Sequence, residues 1–153
     1  MRRSDLGLLA LRLAAGAVLA SHGLPKLMGG PDTKPPSWLS HLLGGNYGPA
    51  WEKSGTKAFS TNLDRMGVPM PELAARASGL AELGGGLALA AGVATPLASA
   101  AVAFNMAVAV RAAHWKTGFY GAGGYEFPFL IGVAAATIGL TGPGRISVDQ
   151  MFK

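Results

Sequence analysis

The chain has no cysteine among its 153 residues. That excludes disulfides, thiol exchange and iron–sulfur clusters held by thiolates, so any redox role must draw on a cofactor or a partner. Charge is nearly as scarce. Asp, Glu, Lys and Arg together make 14% of the chain, against about 25% in soluble domains. The net charge of +5 is scattered, with no run of Lys or Arg longer than two. Nothing here makes a basic stripe for nucleic acid; part of the excess suits lipid headgroups. No H-x-x-x-H spacing is present, and Gly84-Gly85-Gly86 lacks the Lys-Ser/Thr of a phosphate loop, so metal-ligand and nucleotide motifs are both missing.

What is present is apolar and small. Residues 83–110 contain no ionisable side chain and are broken only at Ala94-Thr95-Pro96. Glycine supplies 23 residues, roughly twice the usual ~7%, set among Leu, Ala and Val as in closely packed membrane helices. The pattern predicts an all-α integral membrane four-helix bundle in a single domain, 1–153. Its helices fall at about 5–27, 72–93, 97–114 and 126–140, with a long, partly helical loop at 28–71. Arg2, Arg3 and the apolar residues after them mimic a signal peptide, but Arg12 interrupts the run and Ser21-His22-Gly23 is a poor cleavage site, so a retained helix is expected. Arg12 is expected to snorkel to an interface, and Gly23 and Pro25 to loosen the helix end. Within the loop, Trp38-Leu39 and Leu42-Leu43 read as an amphipathic turn. Phe59, Leu63 and Met66 predict a short surface helix, and Trp38, Tyr47 and Trp51 an interfacial aromatic belt. Gly84, Ala88 and Gly92 form a four-residue stripe for a neighbouring helix.

Ionisable groups inside membrane segments are functional candidates. Glu82 sits roughly 14 Å into its helix at ~1.5 Å per residue, and Asn105 falls at a similar depth on the next, antiparallel helix. His22, Lys26, Arg111, His114 and Glu126 lie nearer the loop-side surface. A loop-side cavity lined by these groups suits a quinone headgroup, which needs donors at its carbonyls and a proton path. Against this stand structural readings: Glu82 pairs with Arg76 or Arg111, or is protonated on a backbone carbonyl, and His22 and His114 are simply interfacial. A bis-histidine haem or a His/Glu metal site has weaker support, and no metal is expected.

The stretches LRLAAGAVLASHGLPKLMGG (11–30), GLAELGGGLALAAGVATPLAS (79–99) and GYEFPFLIGVAAATIGLTGPGRISVD (124–149) resemble the DoxX family. The specific parts are His-Gly-x-x-Lys, Glu-x-Gly-Gly and Gly-Pro-Gly-Arg-x-Ser-x-Asp. They carry over His22, Lys26, Glu82, Gly84 and Gly85, with Arg145 and Asp149 read as tail anchors. The insert around 31–49 departs from the family, many of whose members have a shorter loop. The resemblance implies a four-helix bacterial inner-membrane protein with cytoplasmic termini. It also implies a link to thiosulfate:quinone oxidoreduction or to membrane complexes handling thiol or superoxide stress; some related families serve cofactor maturation. The raw charge count points the other way on orientation: five Lys and Arg (Arg2, Arg3, Arg12, Arg145, Lys153) lie on the termini side and the other eight of 13 on the loop side.

The reading that follows is a membrane subunit of a quinone-linked oxidoreductase or redox-stress complex. Glu82, His22 and Lys26 are the catalytic candidates, and His114, Arg111, Asn105 and Glu126 the candidate quinone pocket. No cofactor is bound covalently, and a protein partner supplies the redox centre. The alternatives are a non-catalytic anchor or accessory subunit of a respiratory or other membrane assembly, and a small lipid or metabolite carrier.

Overall fold

The helix ends follow from local chemistry. Residues 2–152 are described by a computed structural model. It has seven α-helices: α1 (Arg3–Met28), α2 (Ser37–Leu43), α3 (Tyr47–Glu52), α4 (Thr56–Arg65), α5 (Pro71–Ala91), α6 (Thr95–Ala109) and α7 (Glu126–Thr141). Among the described residues there is no strand. α5 opens on Pro71, where a missing N–H costs nothing. It closes with Gly92 at φ +67°. The Gly92 N–H reaches the Leu89 carbonyl at 3.1 Å and the Val93 N–H the Ala88 carbonyl at 2.9 Å. These two hydrogen bonds, from the left-handed Gly92 and from Val93 after it, satisfy carbonyls that the helix end would otherwise orphan. Ala94, also left-handed at φ +45°, turns the chain into α6.

The chain divides into two compact units. One holds the residues up to Ala20 and from Ala81 onward, and its core is Leu19, Leu89, Ala98, Val102, Met106, Ile131, Ala135 and Ile138. Glycines let its backbones close up. A Cβ on Gly86 of α5 would come within 2.7 Å of Leu19 Cβ and 3.0 Å of the Gly16 carbonyl on α1, and one on Gly85 within 2.8 Å of Val102 on α6. On α7, a Cβ at Gly139 would lie 2.8 Å from Ser99 Cβ and one at Gly132 3.1 Å from Met106 Cβ. The expected stripe is therefore shifted: Gly84 is exposed and a Cβ there would meet nothing within 4 Å among the described residues. In a helix with small residues on every side, a four-residue spacing does not say which side has a neighbour.

Large apolar side chains also face outward from this unit, while several polar ones are buried with its core. Leu97, Phe104, Leu130 and Leu140 are exposed, Leu140 at 89%, while Asp5, Arg12, Glu82, Thr95 and Ser99 are buried. Helices at Arg3–Met28 and Thr95–Thr117 are long and apolar enough to cross a membrane, and α7 is a shorter apolar helix.

The second unit is Ser21–Leu80. Pro25 lies inside α1 and has no N–H to give the Ser21 carbonyl four residues back. The Tyr47 hydroxyl donates to that carbonyl instead, at 3.2 Å. Far from loosening the helix end, Pro25 is the point where the loop docks: its own carbonyl accepts the N–H groups of Gly29 and Gly55, both at 2.9 Å. Trp51 is 4% exposed rather than interfacial. Its indole donates to Thr33 Oγ1 at 2.9 Å, and its carbonyl accepts the Gly30 N–H at 3.0 Å. α4 buries Ser60 and Leu63 and sets Phe59 under the Lys26 ammonium, 4.5 Å from the ring centre. α2 buries nothing and leaves Trp38 66% exposed.

Gly86→Leu should leave no folded protein in detergent, while Gly84→Ala should hold or raise the melting temperature, worth about 0.5–1 kcal/mol; equal behaviour of the two would contradict the packing described. Tyr47→Phe should cost about 1 kcal/mol by losing one hydrogen bond. Burial pushes the Tyr47 hydroxyl above the ordinary phenol range, so its contribution holds below the unfolded-state pKa. In an alkaline melting series it is lost as pH rises through the folded one, and the Phe variant lacks that loss.

Candidate functional site

Glu82 is the most deeply placed acidic candidate. It lies on α5 one turn before Gly86, on the side where the helix is closely packed, and is 4% exposed. The Asn105 side-chain amide of α6 donates to Glu82 Oε1 at 3.3 Å. A carboxylate in an apolar setting is costly unless donors face it, and Asn105 is such a donor. A carboxyl group held this way accepts hydrogen bonds when ionised and donates one when protonated, as a relay of protons requires.

His22 and Lys26 belong to the second unit. One turn apart on α1, they line a cavity of about 390 Å³ with Ser21, Asn46, Tyr47 and Ser54. His22 is exposed and Lys26 half-buried; the Lys26 carbonyl accepts the Thr56 hydroxyl at 3.2 Å.

The remaining candidates sit around the glycine-rich turn. After Ala109, α6 widens into a π-helical turn at Val110–His114 and then a 3₁₀ turn at Trp115–Thr117. A π turn advances the helix register, and Arg111 comes out exposed. His114 Nδ1 lies 2.7 Å from the Gly123 carbonyl; a carbonyl only accepts, so that nitrogen carries the proton. Glu126 Oε1 accepts the Gly121 N–H at 3.3 Å. Trp115 stacks on Tyr125 with ring centres 5.5 Å apart, and Phe119 meets Tyr125 edge-on at 5.3 Å. His114 and Glu126 thus hold the backbone of this turn. Among the described residues no three His, Asp or Glu gather where a metal ion could bind.

One group works differently from the sequence expectation. Arg12 does not snorkel: it is 1% exposed. Its guanidinium donates through Nη1 to the Pro143 carbonyl and through Nη2 to the Ile146 carbonyl at 2.6 Å, with the Asp149 carboxylate near enough to act on its charge. Asp149 in turn accepts the N–H groups of Ala94 (2.8 Å) and Thr95 (2.9 Å), and its own N–H reaches the Gly92 carbonyl at 2.8 Å. A carboxylate from the tail therefore caps α6 from 54 residues away. A Cβ on Gly92 would strike the guanidinium and Ser147. The signal for Arg12 in the sequence is its isolation, as the one ionisable residue between Asp5 and His22; an acceptor made of backbone carbonyls leaves no mark in side-chain pattern.

A family model described as DoxX matches residues 7–115. No curated protein and no solved structure matches the chain.

Asp149→Ala should cost about 1 kcal/mol, the usual loss of a helix N-cap. It should also make the tail after Gly144 the first site cut in limited proteolysis; a tail as resistant as wild type would show that the cap does not hold it.

Proposed function

The chain belongs to the DoxX family, a family of membrane proteins, and on that footing we propose that it is a membrane subunit of a quinone-linked oxidoreductase or redox-stress complex. In this reading it is a single four-helix domain of the bacterial inner membrane with cytoplasmic termini. It binds quinone or relays protons near Glu82, while a protein partner supplies the redox centre that a chain without cysteine does not build from thiolates. The observation that carries the reading is the buried Glu82 carboxyl with the Asn105 amide on it. Such a pair in an apolar helix stack is expensive to maintain and is a functional candidate for that reason.

The residues present are compatible with a quinone. A bound quinone supplies a two-electron, two-proton couple, and its carbonyls need hydrogen-bond donors. The Asn105 amide and a protonated Glu82 are donors of that kind, with Arg111, His114 and Glu126 the further pocket candidates. His22, Lys26, Asn46 and Tyr47 offer donors around their own cavity. Glu82 holds or passes the proton; His22 and Lys26 are the second candidates for that role.

A second reading, a non-catalytic anchor or accessory subunit, is favoured by one observation: His114 and Glu126 are bonded to the turn that follows α6. The two readings part at Glu82→Gln in the native complex. A relay role predicts loss of quinone-linked turnover by about 100-fold or more, with little change in melting temperature. A lowered melting temperature with unchanged turnover per folded complex would assign Glu82 to packing and leave the anchor reading.

A further inference from the structure

Two arginines far apart in the chain are brought to one rim by a single carboxylate. The buried Asp5 side chain accepts the Arg2 N–H through Oδ2 at 2.8 Å and the Arg145 N–H through Oδ1 at 3.2 Å. Both arginine side chains remain exposed. They border a cavity of about 700 Å³, shared with Ser4, Leu8, Thr141 and Gln150. We propose that this cavity binds the phosphate of an anionic phospholipid.

Three features support this occupant. The first is charge: two guanidinium groups face a single lining carboxylate, Asp5, and each of its oxygens already receives an N–H. A guanidinium matches phosphate oxygens with paired donors. The second is depth. α1 has 26 residues, which at ~1.5 Å each is about the full thickness of a bilayer with its headgroups, so its first turn falls at the phosphate level. The third is exposed apolar side chains next in sequence to the lining residues Asp5 and Thr141. Leu6 on α1 and Leu140 at the end of α7 are exposed and offer acyl chains a place to lie, while Ser4, Thr141 and Gln150 can hydrogen-bond ester oxygens. The choice of an anionic over a zwitterionic lipid comes from the charge of the lining: Arg2 and Arg145 against Asp5 leave a net positive charge, which favours a headgroup that is net negative over one whose own ammonium cancels its phosphate. This inference does not depend on the role of Glu82.

The test is native mass spectrometry of the full chain in mild detergent, titrated with phosphatidylglycerol, phosphatidylcholine or inorganic phosphate. Wild type should retain phosphatidylglycerol at least about tenfold better than phosphatidylcholine. The double variant Arg2→Gln, Arg145→Gln keeps both backbone N–H donors to Asp5 and should therefore fold. It should lose that preference, whereas Arg3→Gln, an exposed arginine that does not line the cavity, should keep it. Equal retention of the two lipids by wild type would overturn the proposal without recourse to any variant. So would phosphatidylglycerol binding that survives the double substitution, or that falls as far in Arg3→Gln. Displacement of the lipid by millimolar inorganic phosphate would make this a site for free phosphate and equally overturn the lipid assignment.

Discussion

A guanidinium buried in an apolar helix must be met by acceptors, and the Arg12 side chain sets terms for much of the unit around it. Its Nη1 and Nη2 groups donate to the carbonyls of Pro143 and Ile146, so the chain after α7 has to return to α1. That return delivers Asp149 to the start of α6 and requires residue 92 to have no side chain where the guanidinium passes. Removing the charge from water is costly unless acceptors meet it, and here both Nη groups are met while Nε is buried without a hydrogen-bond partner among the described residues. The Gly-Pro-Gly-Arg-x-Ser-x-Asp segment supplies the pairing largely from its backbone.

Around this centre, close contact does the work that apolar burial does in a water-soluble core. The outward surfaces of α6 and α7 carry Leu97, Phe104, Leu130 and Leu140, which gain little from leaving lipid for protein. Association then depends on dispersion between backbones brought near one another. Gly16 against Gly86, Gly85 against Val102 and Gly139 against Ser99 are those approaches. In the second unit Pro25 gives no N–H to the Ser21 carbonyl, and Tyr47 from the long loop donates to it.

The all-α class and the apolar helices were legible because an uncharged run of such length has few other solutions. The nearness of Glu82 and Asn105 was legible as matching depth on consecutive antiparallel helices. Faces were harder to read. α5 is small on all sides, so nothing in its spacing separates Gly84 from Gly86. Trp51 reads as interfacial by residue type, and only its tertiary partner Thr33 makes it core. The π turn at Val110–His114 left no mark either. In the sequence Arg12 reads as a charge seeking water, because acceptors 131 and 134 residues away do not show in any local pattern.

The carboxylate that caps α6 has a consequence for how the protein is made. The α5–α6 turn leaves the ribosome 54 residues ahead of the side chain that completes it. At ~5–20 residues per second that is an interval of about 3–11 s. Through that interval the first N–H groups of α6 have water or lipid headgroups as their partners, and Arg12 waits for longer still. The hairpin is therefore inserted as a provisional structure. It becomes permanent only when α7 has followed it and the returning segment has brought Pro143, Ile146 and Asp149 to Arg12 and the start of α6.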